Sequence, residues 1–192
     1  MERIAGIGGN ARRRGFTLVE LLIVVVVIAI LAAITIVAYN GITTRAENTK
    51  TIHAVGDFVK AYGLYAIDNG AYPPFTGCLG NTYPGTNNWC LAQSGTAACF
   101  GLGGATTNAS LNSALSRYMG GAIPQPSMQQ APCGGTTYIG AYASYSSADG
   151  SVMVVMILRG NQACPSMSPN VASSSRTYAT DTTDCSYHLK IT

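Results

Sequence analysis

An unbroken apolar segment from Phe16 to Tyr39 constrains this chain more than any other feature. It is 24 residues long, or about 36 Å as an α-helix, which is enough to cross the hydrocarbon core of a bilayer. Glu20 is its only charged side chain. Because a charge inside a membrane helix costs up to about 3 kcal/mol on insertion scales, such a carboxylate is a functional candidate that needs a partner. The segment therefore predicts a membrane helix with one functional carboxylate.

The residues in front of this segment suggest the partner. Arg12–Arg14 is a run of three cations, and it is followed by Gly15 and Phe16. Cleavage between Gly15 and Phe16 would give Phe16 a free α-amine about one helical turn from Glu20. That amine could meet the carboxylate of its own chain or of a neighbouring subunit. In a low-dielectric setting, such a pair interacts far more strongly than it does in water.

The same junction resembles the prepilin signal of type IV pilins and of the related pseudopilins of type II secretion and competence systems. That signal consists of basic residues followed by Gly, Phe, Thr, Leu, any residue and Glu. Here it is the run from Arg14 to Glu20. The resemblance is specific over Arg12–Tyr39 and looser as far as about Pro74.

The resemblance implies a subunit that assembles into a filament. A membrane prepilin peptidase would cleave after Gly15 and N-methylate Phe16, and Glu20 would then bring each subunit into register with its neighbour's Phe16 amine. An inner-membrane assembly platform with an ATPase would extrude the subunits, so that helix packing replaces contacts with membrane lipid. Pilins commonly carry a helix-breaking proline in the second half of this segment, whereas the first proline here is Pro73. Any local melting of the helix would have to use Gly41 or a β-branched run instead.

Two ordinary signals compete with this interpretation. The first is a plain signal anchor whose glutamate is merely tolerated. The second is a twin-arginine export signal, because Arg13–Leu18 fits that pattern loosely. A cleaved secretory signal has an apolar core of about 7–15 residues followed by an Ala-x-Ala-like site. The core here is longer, and no such triplet lies between Phe16 and Gly41.

The charge distribution separates a basic leader from a neutral remainder. The chain has a formal net charge of +3, and residues 1–15 account for all of it. The positive-inside rule therefore places the leader in the cytoplasm and the residues after the apolar segment outside. An electrostatic grip on nucleic acid needs clustered Lys and Arg. Beyond the leader the sequence has no such cluster, so no specific nucleic-acid partner is predicted.

All six cysteines follow the apolar segment, at Cys78, Cys90, Cys99, Cys133, Cys164 and Cys185. Their even number and exported location predict disulfides. Proximity in the sequence favours Cys164–Cys185, and the other four cysteines share the remaining bridges in an order that the sequence leaves open. The sequence contains no Cys-x-x-Cys pair or Cys/His cluster, so no metal or cofactor is predicted.

The remaining pattern predicts an α+β fold in which one long helix packs on a small antiparallel sheet. The helix runs from about Phe16 to Ile67, the first half in the membrane and the second half amphipathic. Gly70 is its predicted C-terminal cap. The predicted packing face follows three- and four-residue steps through Ala46, Thr49, Ile52/His53, Val55/Gly56, Val59 and Tyr62/Gly63.

The strands are predicted late in the chain. The segments expected after the helix are a disulfide-tied loop over 75–108, a short helix over Leu111–Tyr118, strands at Thr137–Tyr145, Ser151–Leu158 and Cys185–Ile191, and a Ser/Thr-rich loop before the last strand. The Asp149–Gly150 pair predicts a hairpin turn between the first two strands.

These features divide the chain into a cleaved leader (1–15), a transmembrane and filament-core helix (16–40) and an extracytoplasmic head (41–192). The sequence contains no catalytic motif, so we expect a structural subunit and not an enzyme. We expect a homo- or hetero-oligomeric pilus-like filament with a role in adhesion, motility or DNA uptake. The subunit would span the cytoplasmic membrane once before assembly and lie on the cell surface afterwards. Two alternatives remain open, namely a pseudopilin of a secretion or competence machine and a membrane-anchored module that binds a surface.

Overall fold

The computed structural model describes residues 15–83, 90, 105–128, 130–133, 136–168, 171–179 and 182–191. The chain divides into two compact units, one ending at Ile42 and the other beginning at Thr43. The helices are α1 (Leu18–Asn69), α2 (Ala109–Ser116) and a short 3-10 turn (Arg117–Met119). The strands are β1 (Gly77–Cys78), β2 (Gln130–Cys133), β3 (Thr136–Ile139), β4 (Ala141–Tyr145), β5 (Val152–Arg159), β6 (Ala172–Ala179) and β7 (Thr182–Leu189). A long N-terminal helix with an antiparallel sheet confirms the α+β prediction.

The first unit contains the N-terminal part of α1, whose large apolar side chains are exposed. An 18-residue window of the helix has a mean hydropathy of 3.4, and none of that window is buried. By length and composition alone, the helix can cross a membrane. Its side chains need either lipid or other apolar surfaces around them, because exposing apolar area to water is unfavourable.

α1 ends close to the predicted position. Gly70 has a φ of 71°, a left-handed conformation that glycine adopts without steric cost. Its N–H donates to the carbonyl of Ala66 at 2.8 Å. The helix is therefore shifted by two residues at each end from the predicted bounds, and the stop signal after Asp68 is used as expected.

Five strands of the second unit form one antiparallel sheet in the order β1-β4-β5-β7-β6, and β2 and β3 form a separate hairpin. β5 lies at the centre and is covered on both faces. Val154 and Met156 belong to the main core with α1, whereas Val155 packs in a second cluster with Tyr142 and Cys78. Burial on both faces explains why β5 is almost continuously apolar and not alternating.

The predicted strand Thr137–Tyr145 is in fact two strands that belong to different sheets. Gly140 separates β3 from β4 and has a φ of 87°. A Cβ at this position would lie 2.6 Å from the Tyr83 ring. Glycine is therefore needed here both for the backbone conformation and for the close approach of an aromatic side chain.

The Ser/Thr-rich segment that was predicted as a loop contains β6, so that prediction was wrong. β6 pairs antiparallel with β7, with Arg176 directly opposite Asp184. Among the described strands, it is the last in the sheet order and pairs with β7 alone. Edge strands tolerate polar residues, so β6 lacks the apolar alternation by which strands are found. β7 also begins earlier than predicted, at Thr182 and not at Cys185.

The buried face of α1 was predicted only in part. Val55, Val59 and Tyr62 are buried as expected, whereas the predicted Thr49 is exposed and Asn48 is buried. Ala46 and His53, which were also predicted on this face, are exposed. Thr51 and Phe58, which were not, are buried.

Hydrogen bonds explain why polar side chains lie on this face. The Asn48 amide donates to the carbonyl of Arg159 at 2.8 Å and accepts from the Arg159 N–H at 3.0 Å. The Thr51 hydroxyl oxygen accepts from the Ser127 N–H at 3.0 Å. Buried polar groups are stable when they are paired in this way, but a hydropathy pattern cannot reveal such pairs.

Two disulfides lie among the described residues. Cys78–Cys90 spans 12 residues at β1, and Cys164–Cys185 spans 21 residues and joins the segment after β5 to β7. Cys99 and the side chain of Cys133 lie outside the described part of the chain. The second bridge ties a segment without regular structure to a buried strand of the sheet.

Replacing both Cys164 and Cys185 with alanine should lower the free energy of unfolding by about 3 kcal/mol, because the cross-link restricts the unfolded chain. Denaturant unfolding of the full chain under non-reducing conditions measures this loss. The matched control replaces Cys78 and Cys90 with alanine, and it should lose slightly less because its loop is shorter. An unchanged midpoint for the first variant would show that this bridge does not stabilise the head.

Candidate functional site

The candidate site is the start of α1. Gly15, Phe16 and Thr17 precede the helix, and Phe16 is 85% exposed. A Cβ placed on Gly15 would meet no atom within 4 Å. The peptide bond between Gly15 and Phe16 therefore lies in an exposed segment outside regular structure.

Thr17 caps the helix together with Glu20. The Thr17 carbonyl accepts the first helical bond, from the Leu21 N–H at 3.3 Å. The Thr17 N–H and hydroxyl each donate to Glu20 Oε2 at 2.9 Å. In return, the Glu20 N–H donates to the Thr17 hydroxyl oxygen at 3.2 Å. This reciprocal arrangement is a capping box.

The sequence prediction missed the role of Thr17. The available signal was a Thr-x-x-Glu pattern immediately before an apolar run, which is the sequence signature of a capping box. The consequence for Glu20 is that its carboxylate already has partners within its own chain. A carboxylate can accept about four hydrogen bonds, so the two from Thr17 leave capacity for an ammonium group.

The position of the carboxylate also suits a negative charge. Glu20 lies in the first turn of α1, where unpaired backbone N–H groups and the helix dipole favour anions. The helix N-terminus itself favours the anion, so no further anion-binding group is needed to hold the Glu20 carboxylate there. The start of α1 therefore presents the exposed Glu20 carboxylate beside the exposed Phe16 side chain, at the N-terminal end of the apolar part of the helix.

The described part of the head offers no competing site for a metal ion. Among the described residues, no group of three or more His, Cys, Asp or Glu side chains could hold one. Asp184 is only 2% exposed and accepts from the Ser186 hydroxyl at 3.2 Å.

Comparisons with known proteins cover about a third of this chain or less. Residues 10–36 match the family described as the prokaryotic N-terminal methylation motif. The chain is 46% identical over 59 residues to the type IV wide pilus major component PilA4 of Thermus thermophilus, covering 31% of this chain and 45% of that protein. It is 32% identical over 62 residues to the type II secretion system core protein G of Pectobacterium carotovorum, covering 32% and 40%.

A third relative is the type IV major pilin protein PilE1 of Neisseria gonorrhoeae, which is 36% identical over 64 residues, covering 33% of this chain and 39% of that protein. The chain thus spans about two fifths of the length of these relatives. No solved structure is significantly similar to it. All three relatives are named as components of pili or of a secretion system, and none as an enzyme. The methylation motif and these relatives show that, over about a third of its length, the chain is similar to type IV pilins and to a type II secretion pseudopilin.

Proposed function

We propose that the chain is a prepilin, a structural subunit that builds a pilus-like filament after residues 1–15 have been removed. The observation that carries this proposal is the start of α1, where an exposed apolar rod begins at a hydrogen-bonded carboxylate. A structural subunit needs this combination, because the apolar part of α1 attracts other helices without a preferred direction and the carboxylate sets the register between neighbouring subunits. The protein then acts by assembly and not by catalysis.

The first step is processing in the membrane. The apolar part of α1 holds the subunit in the cytoplasmic membrane, with the leader inside and the head outside. A prepilin peptidase hydrolyses the bond between Gly15 and Phe16 and methylates the new amine of Phe16. The exposure of Phe16, and the space that a Cβ on Gly15 would find among the described residues, support access by a peptidase.

The second step is extraction into the filament. An assembly platform driven by an ATPase moves each subunit out of the bilayer, and neighbouring helices replace lipid around the apolar side chains. Burying one such side chain is worth about 1.5–3 kcal/mol relative to water, so contact with other helices must take over fully from lipid. Glu20 pairs with the Phe16 amine of the neighbouring subunit. This pairing fixes the position of that subunit along the filament axis.

A surface filament could serve adhesion, motility or DNA uptake. The second candidate is a pseudopilin, which would build a short filament inside a secretion machine. The similarity to a type II secretion system core protein favours this candidate, whereas the similarities to two major pilus components favour a displayed filament.

Mass spectrometry of the N-terminal peptide, taken from material sheared off intact cells, tests the proposal. We expect a peptide that begins at N-methylated Phe16 in the sheared fraction. The same peptide confined to the envelope would favour the pseudopilin. An intact Met1 leader, or cleavage beyond Tyr39, would contradict both.

A Gly15→Val variant is the matched control. The new side chain meets no neighbour in the structure, so it should not disturb folding. We expect it to remain unprocessed and to be absent from the sheared fraction, which would tie display to cleavage at this bond.

A further inference from the structure

We infer that Thr17 is a positioning residue for assembly, whose hydroxyl holds the Glu20 carboxylate in the place where a neighbouring subunit's Phe16 amine must meet it. This inference rests on the proposed function, because it concerns the same pairing step. It assigns a separate residue to the task of presenting the carboxylate.

The geometry gives Thr17 control over the Glu20 side chain. Two donors of Thr17, its N–H and its hydroxyl, converge on the single oxygen Oε2, each at 2.9 Å. The hydroxyl oxygen also accepts from the Glu20 N–H at 3.2 Å. The hydroxyl is thus both donor and acceptor in one closed ring, which fixes the rotamers of both side chains.

The direction of the carboxylate follows from this ring. Without a partner, a glutamate in the first turn of a helix could extend along the rod or away from it. Bound to Thr17, the carboxylate of Glu20 is drawn back toward the N-terminus of the helix, which is the end at which the amine of Phe16 arises. Presenting the acid at this end is what a contact between neighbouring N-termini requires.

The arrangement does not depend on processing. It uses the backbone N–H and the side chain of Thr17, and neither belongs to the bond between Gly15 and Phe16. The carboxylate is therefore in position before cleavage and remains there afterwards. The subunit therefore becomes able to assemble when cleavage creates the Phe16 amine, and not through a movement of Glu20.

Preorganisation gives this arrangement its effect on assembly. A free glutamate side chain loses rotamer freedom when it binds a partner. Because Thr17 has already ordered Glu20, the pairing with the incoming amine loses less entropy and is correspondingly tighter. Hydrogen bonds to a charged acceptor are also stronger than neutral ones, so the two contacts from Thr17 hold the carboxylate firmly in this position.

The test is a competition between subunits in the producing cell. Wild-type full-length protein is co-expressed with a Thr17→Val variant, which keeps the shape of the side chain and the backbone N–H but lacks the hydroxyl. The N-terminal peptides of the two forms differ in mass. For each form, the amount of N-methylated Phe16 peptide in sheared filaments is divided by the amount of the same peptide in the membrane.

We expect this ratio to be about tenfold lower for Thr17→Val than for wild type, which corresponds to the loss of one hydrogen bond to a charged group. A Thr17→Ser variant restores the hydroxyl and should return to within about twofold of wild type. A residue that only filled space would be served equally well by valine, so rescue by serine would show that assembly requires the hydroxyl and not merely the volume of the side chain. Because only processed subunits are counted, slower cleavage does not imitate the effect.

Equal incorporation of Thr17→Val and wild type would overturn the inference, and so would equal defects in the valine and serine variants. Failure of the proposed function would look different, because wild type itself would then yield no methylated Phe16 peptide in sheared material.

Discussion

A Glu20→Ala variant is expected to be cleaved and methylated normally but to accumulate in the membrane without forming filaments. The change removes the only acid of the apolar segment, so in the proposed assembly the Phe16 amine of a neighbour would have no opposite charge to meet. In a low-dielectric environment, one such pair at about 4 Å is worth several kcal/mol more than in water. The loss of filament assembly should therefore be close to complete. It is measured by comparing the amount of the subunit in the sheared fraction with the amount in the membrane fraction.

A Glu20→Gln variant separates the two roles of this side chain. Glutamine can replace glutamate in a capping box, so the contacts with Thr17 and the first turn of α1 should survive. The charge does not. We expect Glu20→Gln to fail in assembly much as Glu20→Ala does. Normal filaments from the glutamine variant would show that capping is the sole task of this residue and that the amine–carboxylate pair is not used.

The candidate site can be proposed from the sequence because it is local. Gly15, Phe16 and Glu20 lie within six residues, and their meaning depends on the basic run before them and the apolar run after them. The role of Thr17 was missed although its signal is equally local. Thr17 lies three residues before Glu20, a spacing that fits a capping box as well as a prepilin signal. Matching the residues to a prepilin signal does not reveal the hydrogen bonds of a capping box.

The head was harder to predict because its determinants are distant in sequence. Asn48 is buried because it pairs with both backbone groups of Arg159, which is 111 residues away. A polar residue with such a partner looks like a surface residue in any hydropathy pattern. β6 was missed for a related reason, since its backbone pairing with β7 does not need apolar side chains.

The disulfides illustrate the same limit. Cys164 and Cys185 are close in sequence, and the pattern favoured that pair. Cys78 and Cys90 could equally have joined other cysteines, because a bridge needs two Cα atoms about 4.4–6.8 Å apart and only the fold decides which ones meet. Here β1 and the residue 90 backbone are brought together, since the Cys78 N–H donates to the carbonyl of Thr106 and the Cys90 N–H donates to the carbonyl of Ala105.

A Phe58→Ala variant should destabilise the head strongly. Phe58 is fully buried and belongs to the main core, where α1 meets β5 and β7. Removing a buried aromatic ring costs the transfer free energy of the lost atoms and leaves a cavity, for a total of about 3–5 kcal/mol. Denaturant unfolding of the full chain in detergent, followed by near-ultraviolet circular dichroism of the head's aromatic residues, measures this loss.

The control lies on the same helix. Ile67 is 79% exposed, so Ile67→Ala removes apolar volume without opening a cavity, and its effect should stay within about 0.5 kcal/mol. Because both sites are in α1 and alanine favours helix at each, the difference between the variants isolates packing against the sheet from helix propensity. Equal losses at Phe58 and Ile67 would mean that the head does not depend on that packing. A large loss at Phe58 alone would mean that the buried face of α1 anchors the sheet.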